Sequence, residues 1–485
     1  MARMSAVERR VRAAFHAGAE IALAAGDPPL PGAVIADLLC RPVDRAEHPR
    51  AALRLRGATV TGPVDVTDAE IAVPVRFREC RFDAPVDLSG AQPADLRFSR
   101  CELHGLRARL VVVRGDVSLA DSTVEGPLDL SDARIGGDLV LERARLRHPA
   151  GRALAAARLT VGGSLLGTGL HAAGELWLDG AQVGGNLVLD GAVLRNPSKR
   201  AVAGDRLVIG GNLRAGDGLD VHGELFLVHV QVGGQLWFVG ATLAAPDGFA
   251  LHLGSGKADS VWLCFAETPV GRVRLSGLRA ETVFDDPAVW PARLDLVGCT
   301  YRLLIARSFE GRRPGPAAVV TVPVRRRLEW LRRSPDGYAP QPYEQLAEAY
   351  RRGGQDVEAR RVLLEKQRRR RTGLHLPGRI GGYLLDGLVG YGYRTWQAGL
   401  WLLVFWALGA AAFTAWPPPP RNRAEAPEPS AALYALDLLL PIINLGHDTA
   451  WKPAGTAQYV AAALVVMGWV LTTAVVAGLS RIINR

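Results

Sequence analysis

Residues 128–146, LDLSDARIGGDLVLERARL, contain the pattern that decides the fold. An apolar residue is followed by a second apolar residue two places later, by a small residue after five places and by a third apolar residue after seven. The next copy starts at Leu139, 11 residues after Leu128. Alternate residues of a β-strand point to the same side, whereas a helix repeats about every 3.6 residues. The stretch therefore predicts two short strands in each unit.

The unit recurs from residue 51 to residue 305. Two units make a coil of about 22 residues, and the repeat predicts about 11 coils that stack at the ~4.8 Å spacing of paired strands. The sequence therefore predicts a β-solenoid. The first apolar residues of the early units are Leu53, Val64, Val75, Val86, Leu96, Leu106, Val117, Leu128 and Leu139.

A longer period of 48 or 49 residues is superimposed on the unit. Its copies start at the glycine pairs Gly136-Gly137, Gly184-Gly185 and Gly233-Gly234. Each copy also contains a longer step with a proline loop, and we expect these loops to project from one edge at every second coil. The loops are RHPAG at 147–151, RNPSK at 195–199 and AAPDG at 244–248.

Both ends of a solenoid need a cap, because each coil pairs only with its neighbours. Residues 1–50 contain the amphipathic stretches ERRVRAAFHAGAEIALA and GAVIADLLC, which predict a helical N-terminal cap. Residues 51–310 then form the predicted solenoid. Residues 311–380 form a basic segment with a helix pair at 341–372, which resembles a single tetratricopeptide-like hairpin.

Positive charge is concentrated after the solenoid. Residues 311–400 hold 18 Lys or Arg and 8 Asp or Glu, a net charge of +10 that equals the net charge of the whole chain. Basic clusters beside a membrane span attract anionic lipid, and nucleic-acid binding is disfavoured because few aromatic residues are interleaved. The candidate lipid ligands are Arg325, Arg326, Arg327, Arg332, Arg333, Arg368, Arg369, Arg370 and Arg371.

Residues 381–485 form the predicted membrane domain. Residues 396–416 and 459–479 are uncharged apolar stretches long enough to cross a bilayer as helices. The stretch at 431–446 is shorter and contains Asp437, so we interpret it as an interfacial or re-entrant segment. No secretory signal is expected at the N-terminus, and basic flanks at both outer ends predict that the solenoid and the C-terminus are cytoplasmic.

The repeat and the C-terminal apolar stretches together resemble the pentapeptide-repeat proteins, and in particular a branch with a C-terminal membrane anchor. The resemblance implies a right-handed, four-sided β-helix. The chain departs from the A-(D/N)-L-x-x consensus, since its step is 11 residues and Gly-Gly-x-Leu replaces Ala-Asp-Leu. Relatives in this branch are often labelled membrane-associated oxidoreductases. Scarce lysine beside abundant arginine and alanine suggests a bacterial source and hence the inner membrane.

No catalytic, cofactor or metal site is predicted from the residues. Gly254 to Lys257 match only part of a phosphate-binding loop. Cys80 and Cys101 occupy the small inward position of their units and are expected to stack one coil apart as buried thiols. His222 and Glu224 lack a third ligand.

Four aromatic residues lie between the inward residues of their units, so they are predicted to point outward as candidate partner-binding residues. They are Trp177, Phe226, Trp237 and Trp262. Trp237 and Trp262 are two units apart, which places them on one side in adjacent coils. Exposed aromatic patches mark interaction sites, although cover by the proline loops is an equally good explanation.

Three functions remain open. The first is a membrane-anchored cytoplasmic scaffold that binds a protein partner of unknown identity, with a homo-oligomer left open. The second is a membrane-associated oxidoreductase, which only the family label supports, so enzyme activity is not expected. The third is a small channel regulated by the solenoid, and it lacks a glycine-rich selectivity filter.

Overall fold

A computed structural model of the 485-residue chain describes residues 4–24, 26–44, 46–308, 318–319, 321–372, 375, 383, 395–422, 428, 430–440 and 444–483. The chain forms two compact units, Met1–Gly354 and Gln355–Arg485. The boundary between the units falls inside the predicted basic segment, between its two helices. Each unit is described by itself below.

The first unit is mainly a parallel β-solenoid of about 12 turns, which confirms the predicted fold class. Consecutive coils pair in register: Leu139 pairs with Leu165, and Leu165 pairs with Leu187. The pairings fall into four series, which we name faces 1 to 4 in their order around a coil. This parallel solenoid is consistent with a pentapeptide-repeat-like fold, while its four-sided cross-section and its right-handed sense stay predictions.

Face 1 contains β1 (Ile21–Ala22), β3 (Leu53–Arg56), β6 (Val75–Arg78), β9 (Leu96–Ser99), β13 (Val117–Ser118), β17 (Leu139–Val140), β20 (Leu165–Leu166), β23 (Leu187–Val188), β26 (Leu213–Arg214), β29 (Gln235–Trp237), β31 (Lys257–Leu263), β33 (Arg279–Asp285) and β35 (Thr300–Ser308). Face 2 contains β2 (Leu30–Pro31), β4 (Thr59–Thr61), β7 (Arg81–Phe82), β10 (Glu102–Leu103), β14 (Thr123–Glu125) and the first halves of β18 (Arg145–Ala155), β21 (His171–Trp177), β24 (Val193–Ala203), β27 (Asp220–Phe226) and β30 (Thr242–His252).

Face 3 contains β5 (Val64–Asp65), β8 (Val86–Asp87), β11 (Leu106–Arg107), β15 (Leu128–Asp129), the second halves of β18, β21, β24, β27 and β30, and then β32 (Val270–Arg274) and β34 (Arg293–Asp295). Face 4 contains β12 (Val112–Val113), β16 (Arg134–Ile135), β19 (Thr160–Val161), β22 (Gln182–Val183), β25 (Val208–Ile209), β28 (Gln231–Val232) and the first halves of β31, β33 and β35. A short strand, β36 (Ala318–Val319), pairs antiparallel with β35.

A column of glycines forms the corner between faces 4 and 1. Gly136, Gly162, Gly184, Gly210 and Gly233 stack in five consecutive coils, so the glycine pair recurs in every coil and not only in every second one. A Cβ atom on any of the last four would lie closer than 3.0 Å to the carbonyl oxygen of the glycine one coil earlier. Glycine is therefore required for adjacent coils to approach at this corner.

The proline loops lie where expected, at the corner between faces 2 and 3 in every second coil. They are bulges within the 11-residue strands β18, β24 and β30, whose pairing register shifts at each loop. The intervening coil fits beneath each bulge through a glycine with positive φ, such as Gly174 at 122°. A Cβ there would meet the carbonyl oxygens of His148 and Gly151.

Two helices cap the N-terminal end of the solenoid, as the amphipathic stretches predict. Helix α1 (Ala6–Ala17) starts with a capping box between Ser5 and Glu8, and it buries Val7, Val11 and Phe15. Helix α2 (Gly32–Cys40) follows strand β2. The first coil is therefore covered on its open side by apolar side chains.

The C-terminal end of the solenoid contacts two further helices of the first unit. Helix α3 (Val324–Leu331) buries Trp330 and Leu331. Helix α4 (Gln341–Arg352) packs against strand β35, where Gln345 Nε2 donates to the Tyr301 carbonyl oxygen at 2.5 Å. These helices supply the cap that a solenoid end requires.

The second unit is helical in its described part, with α5 (Asp356–Thr372), α6 (Thr395–Ala415), α7 (Ala431–Leu439), α8 (His447–Ala450) and α9 (Thr456–Ile483). Two segments, Gln397–Ala415 and Thr456–Thr473, are long and apolar enough to cross a membrane. Helices α6, α7 and α9 share an apolar cluster that includes Phe413, Tyr434 and Leu464.

Near its C-terminal end, the short helix α7 contains the acidic residue that caps the start of helix α8. The Asp437 carboxylate is buried and accepts hydrogen bonds from the backbone N–H groups of Leu445, His447 and Asp448, at 2.7 to 2.8 Å. Its charge is thus satisfied by the start of α8. The interfacial or re-entrant placement of residues 431–446 stays a prediction.

Candidate interaction surfaces

Three aromatic residues form a continuous column on the outer side of face 1. Trp237 pairs in register with Trp262, and Trp262 pairs with Phe284. The two indole rings lie 4.9 Å apart, and the ring of Phe284 stacks on Trp262 at 3.7 Å with an angle of 15°. We call Trp237, Trp262 and Phe284 the aromatic ladder.

The ladder is anchored at its base and half-exposed to solvent. Trp262 Nε1 donates to Ser260 Oγ at 3.2 Å, which fixes the indole plane. The Arg307 guanidinium lies 5.6 Å from the Trp262 ring and 5.4 Å from the Phe284 ring, within the range of a cation–π contact. Phe284 was not among the predicted aromatic residues, although its position 22 residues after Trp262 is the length of one coil and places it next to that residue.

The other two predicted aromatic residues lie on face 3 and are separate from the ladder. Trp177 and Phe226 are two coils apart, with Ala203 between them. An arginine from a bulged strand covers each ring: Arg152 lies 3.3 Å from the centre of Trp177, and Arg200 lies 4.0 Å from the centre of Phe226. These rings therefore offer a partner less apolar surface than the ladder does.

A histidine continues the column of Phe226 on face 3. The His252 ring lies 4.8 Å from Phe226 and stacks on Phe249 at 4.7 Å. Burial, and then the nearby Arg274 guanidinium, lower the pKa of His252 to about 4. The imidazole is therefore neutral in the folded protein at neutral pH.

We expect His252 to make the solenoid less stable in mild acid. Between about pH 6.5 and 4 the unfolded chain binds a proton on this imidazole and the folded chain does not, so the stability from this group is lost as the pH falls through that window. His252→Gln should therefore lose less melting temperature than the wild type between pH 7 and pH 5. Equal losses, measured by circular dichroism, would contradict this pKa.

Two of the arginines predicted to bind lipid are instead built into the C-terminal cap. Arg327 is 3% exposed and forms a two-pronged ion pair with Asp285, which also accepts a hydrogen bond from Trp290 Nε1 at 2.7 Å. Arg333 is half-buried and donates to the carbonyl oxygens of Trp290 and Pro291 at 2.8 and 2.7 Å. Because their donors are used inside the fold, Arg327 and Arg333 are corrected from lipid ligands to structural residues.

The remaining arginines of that set are exposed or half-exposed on helices α3 and α5 or just after α3. Arg325 forms a surface ion pair with Glu329 at 3.7 Å, and Arg369 forms one with Glu365 at 3.6 Å. Such pairs contribute little stability and leave the guanidinium accessible. The candidate lipid ligands that stay accessible are Arg325, Arg326, Arg332, Arg368, Arg369, Arg370 and Arg371.

The cysteine column lies inside the solenoid. Cys80 and Cys101 occupy the same inward position in consecutive coils, since the residues that follow them, Arg81 and Glu102, pair in register. The neighbouring Cys80 thiol and burial raise the pKa of Cys101. Both side chains are buried and reduced, so this pair is packed as small apolar groups.

The described residues contain no group of three or more metal-ligating side chains. His222 Nε2 lies 3.4 Å from Asp220 Oδ1, so its neighbour is this carboxylate and not Glu224 as the spacing suggested. The side chain is half-exposed on face 2 and makes a surface pair.

No protein-family model matches this chain, no curated protein matches it, and no solved structure matches it.

Proposed function

We propose that the protein is a scaffold of the bacterial inner membrane, whose cytoplasmic solenoid binds a protein partner through the aromatic ladder. The two apolar helices of the second unit would anchor the chain, and the accessible arginines would attract anionic lipid headgroups. A solenoid suits this role because it presents a long, rigid surface.

The observation that carries the proposal is the ladder itself. Trp237, Trp262 and Phe284 are half-exposed across three consecutive coils, a length of about 10 Å at the spacing of paired strands. Large aromatic side chains dominate the binding energy of protein interfaces. Three of them in contact on a rigid sheet form a preorganised anchor.

A photo-crosslinking residue in place of Phe284 tests the ladder. We expect a specific adduct in living cells, and we expect Trp262→Ala to remove most of it, because the neighbouring ring is lost from the contact surface. Trp177→Ala is the matched control, since it removes an aromatic residue of another face. Melting curves of all variants verify the fold.

Two results would overturn the scaffold proposal. The first is an adduct that Trp177→Ala reduces as much as Trp262→Ala does. The second is stoichiometric flavin or haem absorbance in the protein purified in mild detergent, which would favour the oxidoreductase implied by the family resemblance.

A further inference from the structure

A groove of about 440 Å³ lies beside the last three coils of the solenoid, next to helix α4. Residues of β31, β33 and β35 line one side, and Gln345 and Arg352 of α4 line the other. Gln345 holds the helix against the sheet through the Tyr301 carbonyl oxygen. The volume is that of a small-molecule site.

Two cations stand side by side in this groove. Lys257 and Arg279 are register partners on the neighbouring parallel strands β31 and β33, about 4.8 Å apart. Both side chains are exposed, and no carboxylate of the described chain forms an ion pair with either. Like charges at directly paired positions destabilise a sheet, so this arrangement costs stability when the groove is empty.

Other positions on the solenoid surface show the opposite arrangement. Arg143 pairs with Asp121, Arg158 with Asp132 and Arg214 with Asp190, each across consecutive coils at 2.6 Å. Like-charged register partners also occur on this surface, but where Arg76 pairs with Arg97 the Asp95 carboxylate lies 3.7 Å from the first guanidinium and 3.0 Å from the second. Lys257 and Arg279 have no such carboxylate contact within the described chain, and an anion between them would supply it.

The groove also contains carboxylates. Asp259 and Glu281 line it two residues after Lys257 and Arg279, and neither forms an ion pair within the described chain. Arg302 adds a third cation that forms no ion pair with any described residue. A ligand that fits must supply an anionic group to the cations and hydrogen-bond donors to the carboxylates.

We propose that this groove binds a phosphate ester that carries hydroxyl groups. The phosphate lies between Lys257 and Arg279, and the hydroxyl groups donate to Asp259 and Glu281. A soluble sugar phosphate and the headgroup of phosphatidylglycerol share this chemistry. The proposal does not depend on the aromatic ladder or on a protein partner.

Binding is measured on the full chain in mild detergent, with ribose 5-phosphate as the soluble probe and dioctanoyl phosphatidylglycerol as the lipid probe. Ribose and dioctanoyl phosphatidylcholine are the respective controls. Binding of the first probe alone identifies a soluble ligand, and binding of the second alone identifies a lipid headgroup. If neither probe binds, the proposal is overturned.

Arg279→Gln is expected to weaken binding of the active probe at least about tenfold, because it removes a charge-assisted hydrogen bond. Its melting temperature should equal or exceed that of the wild type, since the repulsion with Lys257 is relieved. Arg134→Gln is the matched control, because Arg134 holds the same outward position of face 4 six coils before Arg279. Equal affinity in both variants overturns the proposal, and Lys257→Gln provides an independent second variant.

Discussion

Arg327→Met is expected to destabilise the C-terminal end of the solenoid by about 3–5 kcal/mol, because it leaves the Asp285 carboxylate buried without its cation. Asp285 is 1% exposed, and Arg327 Nη2 donates to its Oδ1 at 2.9 Å. The guanidinium also lies 5.2 Å from Trp290 and 5.5 Å from Trp330. The pair thus joins the last coils to helix α3.

Hydrogen exchange of the full chain locates this effect. Each coil is supported only by its neighbours, so protection should fall first in strands β33 and β35 and less in the earlier coils. Arg325→Met is the control, since that arginine is fully exposed on the same helix and should change stability by less than about 0.5 kcal/mol.

A double variant separates the charge from the packing. Asp285→Asn combined with Arg327→Met should recover part of the loss, because the amide oxygen still accepts from Trp290 and no buried charge remains. If Arg327→Met costs no more than Arg325→Met, the ion pair does not hold the cap.

Gly184→Ala is expected to lower the stability of the solenoid by about 3 kcal/mol or more, at the upper end of overpacking effects. Its Cβ would collide with the carbonyl oxygen of Gly162, which is backbone and cannot rotate away. The collision forces two coils apart at a corner where five consecutive glycines stack. Both neighbouring hydrogen-bonded pairings are then strained.

Thermal unfolding followed by circular dichroism measures this loss. Gly26→Ala is the control, since a Cβ there meets nothing within 4 Å and the change should be neutral or slightly stabilising. An equally stable Gly184→Ala protein would show that the corner can relax, and the glycine column would then have no steric role.

The repeat predicts that Trp237 and Trp262 are neighbours, but it does not predict the arginine that covers Trp177, and the difference has a physical reason. A strict repeat fixes which residues pair between coils, so Trp237 and Trp262 could be placed side by side from their spacing alone. Arg152 reaches Trp177 only because the proline loop bulges and shifts the register, and no periodicity encodes that shift.

The amino-acid sequence by itself determined the solenoid, the proline loops of the solenoid and the positions of the two apolar helices near the C-terminus. Each of these features follows from a local period or from composition. Only the tertiary structure decided which arginines of the basic segment are buried and which are exposed. Arg325 and Arg327 are two residues apart and chemically identical, yet one faces solvent and the other is buried against Asp285, 42 residues earlier in the chain. Arg327 is buried because its side of helix α3 faces the last coils of the solenoid. That contact joins two residues far apart in the chain, and no local sequence pattern connects them.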